Sequence, residues 1–286
     1  MFVVKYRKIF YSISTIIIIA AIAAISIWGL KPGIDFTGGS LLSIEYAGTA
    51  DEVKALLPQA SVRSTEGGYI VRTSELSQVE KNEILESLGA FEKEFSTVGP
   101  VLGAEAIRKS YISIILVLLA IVLFITFAFR KVSKPVSSWV YASIAIVALA
   151  HDVIVPTGIF ALLGYLAGVE VDTLFVTALL VILGFSVHDT IVVFDRVREN
   201  LNESNARGGR EEFESIVGRS ISETLIRSLN TSLTTLFAIA VLYFVGPEAT
   251  RHFALAMGIG IIAGTYSSIF IGSPLLVTIQ KFKNRK

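Results

Sequence analysis

The sequence has no cysteine, and only 17% of its 286 residues carry a charged side chain. The absence of cysteine excludes disulfides, thiolate metal sites and a cysteine nucleophile. The formal net charge is +1, so neither sign dominates and the composition gives no indication of a nucleic-acid partner. A soluble domain usually carries about 25% charged residues. This shortfall, together with 53% hydrophobic residues and a mean hydropathy of +0.68, indicates an integral membrane protein.

Hydrophobic runs of about 20 residues, the length that crosses a bilayer, occur six times along the chain. The six predicted spans are 9–30, 110–129, 137–164, 173–196, 226–245 and 252–279. The first span is too long for a signal peptide and lacks a small-residue cleavage site at its end, so a retained helix is predicted. Pro156 predicts a kink in the third span.

Lysine and arginine collect at four places, which fall on one side of the membrane if all six spans cross it. The four clusters are Lys5, Arg7 and Lys8; Arg130, Lys131 and Lys134; Arg196, Arg198, Arg207, Arg210 and Arg219; and Lys281, Lys283, Arg285 and Lys286. Because positive loops stay in the cytoplasm, this pattern predicts a multi-pass protein of the cell membrane with both termini cytoplasmic. Residues 31–108 then lie outside the cytoplasm.

Residues 31–108 have the alternation and turn signals of a water-soluble domain. The segments SLLSIEYAG, SVRST, YIVRT and FEKEFSTVG predict strands, whereas TADEVKALLPQ and SQVEKNEILESLGA predict helices. Gly67 and Gly68 predict a hairpin between the second and third strands. The order β-α-β-β-α-β predicts a small ferredoxin-like α+β domain. The predicted fold is an α-helical membrane protein with six transmembrane helices: 1–30 with the first helix, 31–108 extracytoplasmic, and 109–286 with the other five.

Residues 198–222, between the fourth and fifth spans, mix charged side chains with apolar ones at helical spacing. The apolar side chains are Phe213, Ile216, Val217 and Ile221. A helix with one apolar and one charged face is typical of a segment that lies along a membrane surface. We therefore predict an amphipathic helix on the cytoplasmic surface.

The fourth span contains a carboxylate, Asp189, among apolar residues. Ionisable residues inside spans are costly and mark functional sites. Asp189 lies about nine residues, or roughly 13 Å, from the cytoplasmic end of the span, which is too deep for its short side chain to reach water unaided. Burial favours the neutral form, whereas a nearby cation favours the carboxylate, and a group balanced between the two can carry a proton. The alternative is a hydrogen bond that only holds the helices together.

Arg227, at the start of the fifth span, is the candidate counter-charge of Asp189. Thr231, Thr234 and Thr235 follow it at i+4, i+7 and i+8, which places all four side chains on one stripe of a helix. Such a stripe suits a hydrated proton path or a polar interface between helices. The alternative is that Arg227 reaches the cytoplasmic surface and binds lipid phosphate.

Two further ionisable residues of the fourth span, His188 and Asp195, are weaker candidates for a proton relay. Histidine titrates nearest neutral pH, but His188 is about 100° from Asp189 around the helix, so the two need not act together. Asp195 lies on the face of His188 at the membrane edge. Its alternative is a solvated charge pair with Arg196 or Arg198.

The third span carries an adjacent pair, His151 and Asp152. One such pair lacks the number and spacing of ligands that a metal site needs, so no metal is predicted. A polar contact toward the fourth span, or structural packing, is predicted instead.

The sixth span has four small residues at intervals of four. These are Gly260, Gly264, Ser268 and Gly272. A stripe of small residues lets two helices approach closely, so a role in helix packing is predicted.

Together these segments resemble the SecF-type subunits of the SecD/SecF family, which belongs to the resistance-nodulation-division superfamily. The resemblance rests on GIDFTGGS (33–40), ALAHDV (148–153), TALLVILGFSVHDTIVVFDRVREN (177–200), SISETLIRSLNTSLTT (220–235) and GTYSSIF (264–270). It covers nearly the whole chain. It implies a non-enzymatic subunit that uses proton motive force to assist export of polypeptides through the Sec channel, with Asp189 and Arg227 in proton conduction.

The resemblance also implies partners: a SecD-like subunit, the SecYEG channel, the SecA motor, the translocating preprotein and the lipid bilayer. It implies no cofactor, since protons are the coupling ion. One departure concerns position 188, which commonly holds asparagine in relatives and holds histidine here. That histidine either adds a titrating group or keeps a hydrogen bond.

The motif GIDFTGG is expected to form the junction between the first span and the outer domain. Its candidate residues are Gly33, Asp35, Gly38 and Gly39. Glycine permits backbone turns that are closed to other residues. The alternative is a plain turn capped by Asp35.

Three other functions fit part of the pattern. A small efflux transporter needs a larger outer domain with a substrate cleft, and about 75 residues are few for one. An intramembrane aspartyl hydrolase needs Asp152 and Asp189 near contact with a shared proton. A purely structural scaffold leaves Asp189 unexplained.

Overall fold

The computed structural model describes residues 2–65, 67–130, 136–209 and 211–283, and six of its helical segments are long and apolar enough to cross a membrane. The helices in chain order are α1 Phe2–Lys5, α2 Arg7–Trp28, α3 Ile34–Thr37, α4 Ala50–Leu56, α5 Gln78–Leu88, α6 Pro100–Ala128, α7 Ser138–Ala167, α8 Thr173–Ala206, α9 Phe213–Val245, α10 Glu248–Ser267 and α11 Ser273–Lys283. A π-helical turn, η1 Ser268–Gly272, joins α10 to α11. The chain is a multi-pass membrane protein, as its hydropathy predicts.

The chain divides into two compact units. The membrane unit comprises Met1–Lys31, Ser113–Val169 and Leu174–Lys286, and the α+β unit comprises Pro32–Ile112 and Glu170–Thr173. The predicted domain 31–108 therefore misses the short segment before α8. That segment joins the α+β unit because the Gly33 backbone nitrogen donates to the Val171 carbonyl at 2.7 Å.

The α+β unit contains a four-stranded antiparallel sheet. Its strands are β1 Gly39–Glu45, β2 Ser61–Thr65, β3 Gly68–Thr73 and β4 Phe91–Val98, in the order β2-β3-β1-β4. The two β-α-β connections interleave, because β3 lies between β1 and β2 and β1 lies between β3 and β4. This is the ferredoxin-like arrangement predicted from the sequence. Leu42, Ile44, Val53 and Val71 form its buried core.

In the α+β unit, α4 and α5 each begin with a capping box. The cap side chain and a glutamate three residues later bond reciprocally to the backbone. The boxes are Thr49 with Glu52 and Ser77 with Glu80.

The strand β4 forms one edge of the sheet. Its pairing with β1 passes from Glu94 to Glu92, so an extra residue, Lys93, is accommodated there as a bulge.

The core of the membrane unit is built around stacked aromatic side chains. The rings of Phe129 and Tyr141 are stacked with centroids 5.1 Å apart, and both pack edge-on against Phe194. Phe129 directly follows α6, Tyr141 belongs to α7 and Phe194 belongs to α8. All three side chains are fully buried. Burial of aromatic surface from three segments stabilises their packing against one another.

The prediction of a surface helix over 198–222 is wrong. The helix α8 continues to Ala206, and α9 begins at Phe213 rather than at 226. The apolar side chains at 213, 216, 217 and 221 are all less than 9% exposed and pack within the protein core, which also contains Val4, Leu201 and Leu276. An apolar helix face is satisfied equally by lipid and by protein, and here protein covers it.

Candidate functional site

Asp189 lies in the middle of α8 and is buried, with 2% of its surface exposed. It shares a helix face with Ile182, Ser186 and Val193, which are also buried. Its Oδ2 atom has no hydrogen-bond partner among the described residues. A buried polar atom without a partner costs free energy, about 1–3 kcal/mol and more when the group is charged. The Asp189 carboxyl group thus lies in the interior with one oxygen unsatisfied within the described part of the chain.

His188 and Asp195, the weaker candidates on α8, are exposed and do not share the buried position of Asp189. The His188 side chain is exposed, on another face of the helix from Asp189. Asp195 forms an ion pair with Arg198, three residues later. Asp195 thus forms the charge pair that was predicted as its alternative role. Among the described residues, neither His188 nor Asp195 has an ion pair or hydrogen bond with Asp189.

Arg227 is exposed on α9 and lines a cavity between α8 and α9 of about 340 Å³. The cavity is lined by Val192, Asp195, Arg196, Glu199, Glu223, Thr224 and Arg227. In residues 136–209 and 211–283, no ion pair joins Arg227 to Asp189. The predicted counter-charge is therefore on the wall of a polar cavity and not bound to the buried carboxyl.

An ion pair between Arg196 and Glu223 connects α8 to α9 at this cavity. Arg196 donates to Glu199 and to Glu223, each at 2.6 Å, and the Asn200 side-chain amide donates to the same Glu223 oxygen at 2.8 Å. Both glutamates thus have a cation, whereas Arg227 has no ion-pair partner among the residues described. The arrangement provides a polar entry between two membrane-spanning helices.

The three threonines after Arg227 donate their hydrogens to their own helix. Thr231 donates to the Arg227 carbonyl at 3.0 Å, and Thr235 donates to the Thr231 carbonyl at 2.9 Å. Thr234 donates to the Asn230 carbonyl at 3.0 Å. Their oxygens remain available as acceptors, since a hydroxyl has two lone pairs.

A buried polar cluster surrounds Asp152 in α7, which is 0% exposed. Ser267 of α10 lies 2.7 Å from its Oδ2 atom, and Ser186 of α8 hydrogen-bonds to the same oxygen. The Nδ1 atom of His151 lies 2.9 Å from the other oxygen, Oδ1. The sequence predicts a polar contact from this pair toward the fourth span, and the structure supplies it through Ser186. Sequence reasoning missed both serines.

The small residues of the sixth span lie where helices approach one another. A Cβ atom added at Gly260 would lie 2.2 Å from the Ile182 side chain, and one at Gly264 would lie 3.1 Å from the Ser186 Cβ. Ser268 is buried and donates to the Gly264 carbonyl, and Gly272 faces Ile144 of α7. Gly260 and Gly264 thus permit the contact between α10 and the face of α8 that carries Asp189.

The GIDFTGG motif forms a helical turn followed by two glycines with positive φ angles, +74° at Gly38 and +111° at Gly39. A Cβ atom at Gly39 would lie 2.6 Å from the Thr73 carbonyl oxygen, and one at Gly38 would lie 2.9 Å from the Pro100 Cα. Residues other than glycine rarely adopt these backbone conformations. Gly33 has a less severe approach, since a Cβ atom added there would lie 3.1 Å from the Val171 carbonyl oxygen.

Asp35 of the same motif binds the first residue of α8. Its Oδ2 atom accepts from the Thr173 backbone nitrogen at 3.0 Å and from the Thr173 hydroxyl at 2.6 Å. Nearby, Arg72 of β3 donates to Glu170 at 2.7 Å. These contacts, absent from the sequence prediction, lie within the α+β unit and fix the segment that leads into α8.

The whole chain is similar to known membrane proteins. A family model described as "Protein export membrane protein SecD/SecF, C-terminal" matches residues 80–282, and one described as "SecD/SecF GG Motif" matches residues 24–50. The protein translocase subunit SecF of Thermobaculum terrenum is 43% identical, over 96% of this chain and 93% of that protein. The corresponding subunit of Sebaldella termitidis is 34% identical, over 98% and 92%.

Two solved structures of SecDF are also similar. SecDF from Thermus, described as a translocon-associated membrane protein, matches 97% of this chain with a TM-score of 0.83 and 30% identity. A structure of SecDF in a super-membrane-facing form matches 99% with a TM-score of 0.69 and 30% identity. The chain spans 38% of each of these longer chains. On these family matches and identities, the chain belongs to the SecD/SecF family of protein export membrane proteins.

Proposed function

We propose that the chain is a SecF-like subunit that uses proton motive force to assist the export of polypeptides through the Sec channel. The observation that carries the proposal is Asp189, a carboxyl group buried in the middle of a membrane-spanning helix with one oxygen unpartnered among the described residues. A scaffold has no need of such a group. A proton carrier does, because the carboxyl must change charge without leaving the protein interior.

The energy available from protons is sufficient for this role. One charge that crosses 100 mV yields about 2.3 kcal/mol, so twice that potential yields about 4 to 5 kcal/mol per proton. Such an energy shifts a two-state equilibrium by over a thousandfold. One carboxyl group per subunit is therefore enough to drive a conformational change, with protons as the coupling ion and no other cofactor.

A SecD-like partner accounts for the exposed polar surface of α9. Arg227, Asn230 and Thr234 are exposed along one side of this spanning helix. An arginine of a spanning helix is costly where it faces lipid. A second subunit with a carboxylate at this surface removes that cost. The similar SecDF chains are longer than this one, so they contain further residues that can form such a partner region.

The orientation of the chain follows from its basic residues. Lys5, Arg7, Lys281 and Lys283 lie at the two termini, and the positive-inside rule assigns them to the cytoplasm. The α+β unit then lies on the outer side of the cell membrane. The SecYEG channel, the SecA motor and the translocating preprotein are the proposed partners of the assembled complex, on the basis of the similar translocase subunits.

Two alternatives receive less support. An aspartyl hydrolase needs a carboxyl pair that shares a proton, but the Asp152 oxygens accept from Ser186, Ser267 and His151 and make no hydrogen bond to Asp189. A small efflux transporter needs a substrate cleft. The cavity beside Arg227 is about 340 Å³, at the lower limit of ligand pockets, and is lined by several charged residues.

The proposal is tested with Asp189→Asn, co-expressed with the matching SecD-like subunit in a strain depleted of both. Export of a secreted protein and the proton permeability of membrane vesicles are measured together. Loss of both, at normal protein levels, is expected because the amide cannot bind a proton. Glu203→Gln is the matched control, since it removes one carboxylate from the exposed end of the same helix, where Glu203 pairs with Arg207. Normal export by Asp189→Asn contradicts the proposal.

A further inference from the structure

The cluster around Asp152 contains an ionisable group that the proposed function does not use. His151 is 3% exposed, and its Nε2 atom has no hydrogen-bond partner among the described residues. Its Nδ1 atom lies 2.9 Å from Asp152 Oδ1. A histidine that is held by a carboxylate at one nitrogen, with the other nitrogen free, is the arrangement in which imidazole accepts a proton.

The contacts of Asp152 are ones that a carboxylate can accept. Both Ser186 and Ser267 contact Oδ2, and His151 contacts Oδ1. A carboxylate accepts all three hydrogen bonds, whereas a protonated carboxyl has to donate one of them. The carboxylate form thus satisfies every donor, and it requires the hydrogen of the neutral imidazole to be on Nδ1. The lone pair of Nε2 is then available.

The surroundings of His151 are aromatic and polar. Its ring stacks on Tyr266 of α10 at 6.0 Å, and the Tyr266 hydroxyl contacts the Phe10 carbonyl and the Ser14 hydroxyl of α2. Asp152 is the charged group in contact with the ring, and Asp189 lies on the same face of α8 as Ser186, which contacts Asp152. The helices α2, α10 and α11 carry their charged residues only near their ends. A buried cluster with one negative charge becomes neutral when it binds one proton, which lowers the cost of burial.

We propose that His151 is a second proton-accepting group inside the membrane, with Asp152 as its fixed counter-charge; this rests on the proposed function. The proton binds at Nε2 and forms an imidazolium ion paired with the Asp152 carboxylate, and no other bond breaks. Ser186 links this pair to α8, the helix of Asp189, because its hydroxyl hydrogen-bonds to Asp152. His151 is therefore a site for a proton in addition to Asp189.

The test measures histidine protonation directly. The chain contains three histidines, so ring-nitrogen labelling gives few signals in solid-state NMR of the complete chain, reconstituted with its SecD-like partner in bilayers. We expect the His151 ring to carry its hydrogen on Nδ1 at high pH and on both nitrogens at low pH. In Asp152→Asn its proton affinity falls by about tenfold or more, since the counter-charge is lost. The exposed His188 in the same sample is the internal control and does not shift.

Two variants connect this measurement to export. His151→Asn keeps an N–H near the position of Nδ1 and cannot take up the proton, so export and vesicle proton permeability are expected to fall at normal protein levels. Asp189→Asn, measured in parallel, decides the proposed function separately, because the NMR titration of His151 does not depend on export. A neutral ring with its hydrogen on Nε2, or a ring that stays neutral wherever the complex remains folded, overturns the inference. So does full export by His151→Asn.

Discussion

Asp35 accepts two hydrogen bonds from Thr173, one from the backbone nitrogen at 3.0 Å and one from the hydroxyl at 2.6 Å. These contacts place a carboxylate at the N-terminus of α8, where free backbone N–H groups and the helix dipole favour negative charge. The helix that carries the buried Asp189 thus starts from a residue fixed by the GIDFTGG motif. The motif is more than a turn, because its acidic residue caps a helix far away in the sequence.

The first prediction concerns this cap. Asp35→Ala removes both hydrogen bonds and is expected to destabilise the start of α8 by about 0.5–2 kcal/mol, the usual cost of a lost helix cap. Asp35→Asn keeps one acceptor oxygen and is expected to lose less. Protease resistance of the 170–173 segment in membrane vesicles is the measurement. Equal resistance of wild type and Asp35→Ala is the contradicting result.

The second prediction compares two glycines that both have positive φ angles. Gly39→Ala adds a Cβ atom 2.6 Å from the Thr73 carbonyl oxygen, whereas Gly89→Ala meets nothing within 4 Å. Backbone strain costs about 1–2 kcal/mol at either position. Gly39→Ala adds the clash with backbone and is expected to cost roughly 3 kcal/mol or more. The free energy of unfolding of the α+β unit, followed in the full chain by pulse proteolysis, should rank the two. Equal losses would exclude a clash at Gly39.

The third prediction concerns the contact between α10 and α8. A Cβ atom at Gly260 would lie 2.2 Å from the Ile182 side chain, so Gly260→Ala is expected to destabilise the membrane unit by about 1–3 kcal/mol, the usual cost of overpacking. Combining it with Ile182→Ala should restore part of the loss. The control is Gly258→Ala, whose Cβ would lie at an ordinary 3.7 Å from Ile239. The melting temperature of the complex in detergent is measured, and a harmless Gly260→Ala would refute the close contact.

The fourth prediction is a pH dependence of the α+β unit. Hydrogen bonds from the Ser77 backbone and hydroxyl lower the pKa of Glu80 below its usual range. Because the pKa is lower in the folded than in the unfolded state, the stabilisation is full above the usual glutamate pKa and is lost as pH falls through the lowered value. Glu80→Gln, which cannot titrate, should remove this component. The melting temperatures of the two proteins are compared from neutral pH down through the carboxyl range. Parallel curves would show that Glu80 does not contribute.

Much of the α+β unit could be predicted from the sequence, because its signals are local. Alternation in SLLSIE and the capping boxes at Ser77 and Thr49 predict strand and helices within a few residues of their observed bounds. The ends of the membrane helices were harder to predict. Charged residues end a hydropathy run but do not end a helix, so α8 and α9 extend well beyond the predicted spans.

The candidate site was predictable only where chemistry contrasts with its surroundings. Asp189 stands out because a carboxylate is rare in an apolar run, and the structure shows that it is buried. Ser186 and Ser267 carry no such contrast, since serine is common in spanning helices. Their importance arises from contacts between α7, α8 and α10. The pairing of Arg72 with Glu170 was missed for the same reason, because nothing in the sequence aligns residues so far apart.

The bulge at Lys93 affects whether another polypeptide can add a strand to the β4 edge of the sheet. An open strand edge is a template on which any extended polypeptide can add itself, and a sheet that does so irreversibly aggregates. The edge strand β4 carries Glu92, Lys93 and Glu94 in succession, and the extra residue interrupts the regular spacing of its hydrogen-bonding groups. Both features discourage strand addition. The sheet can therefore remain separate from extended polypeptides that meet its edge.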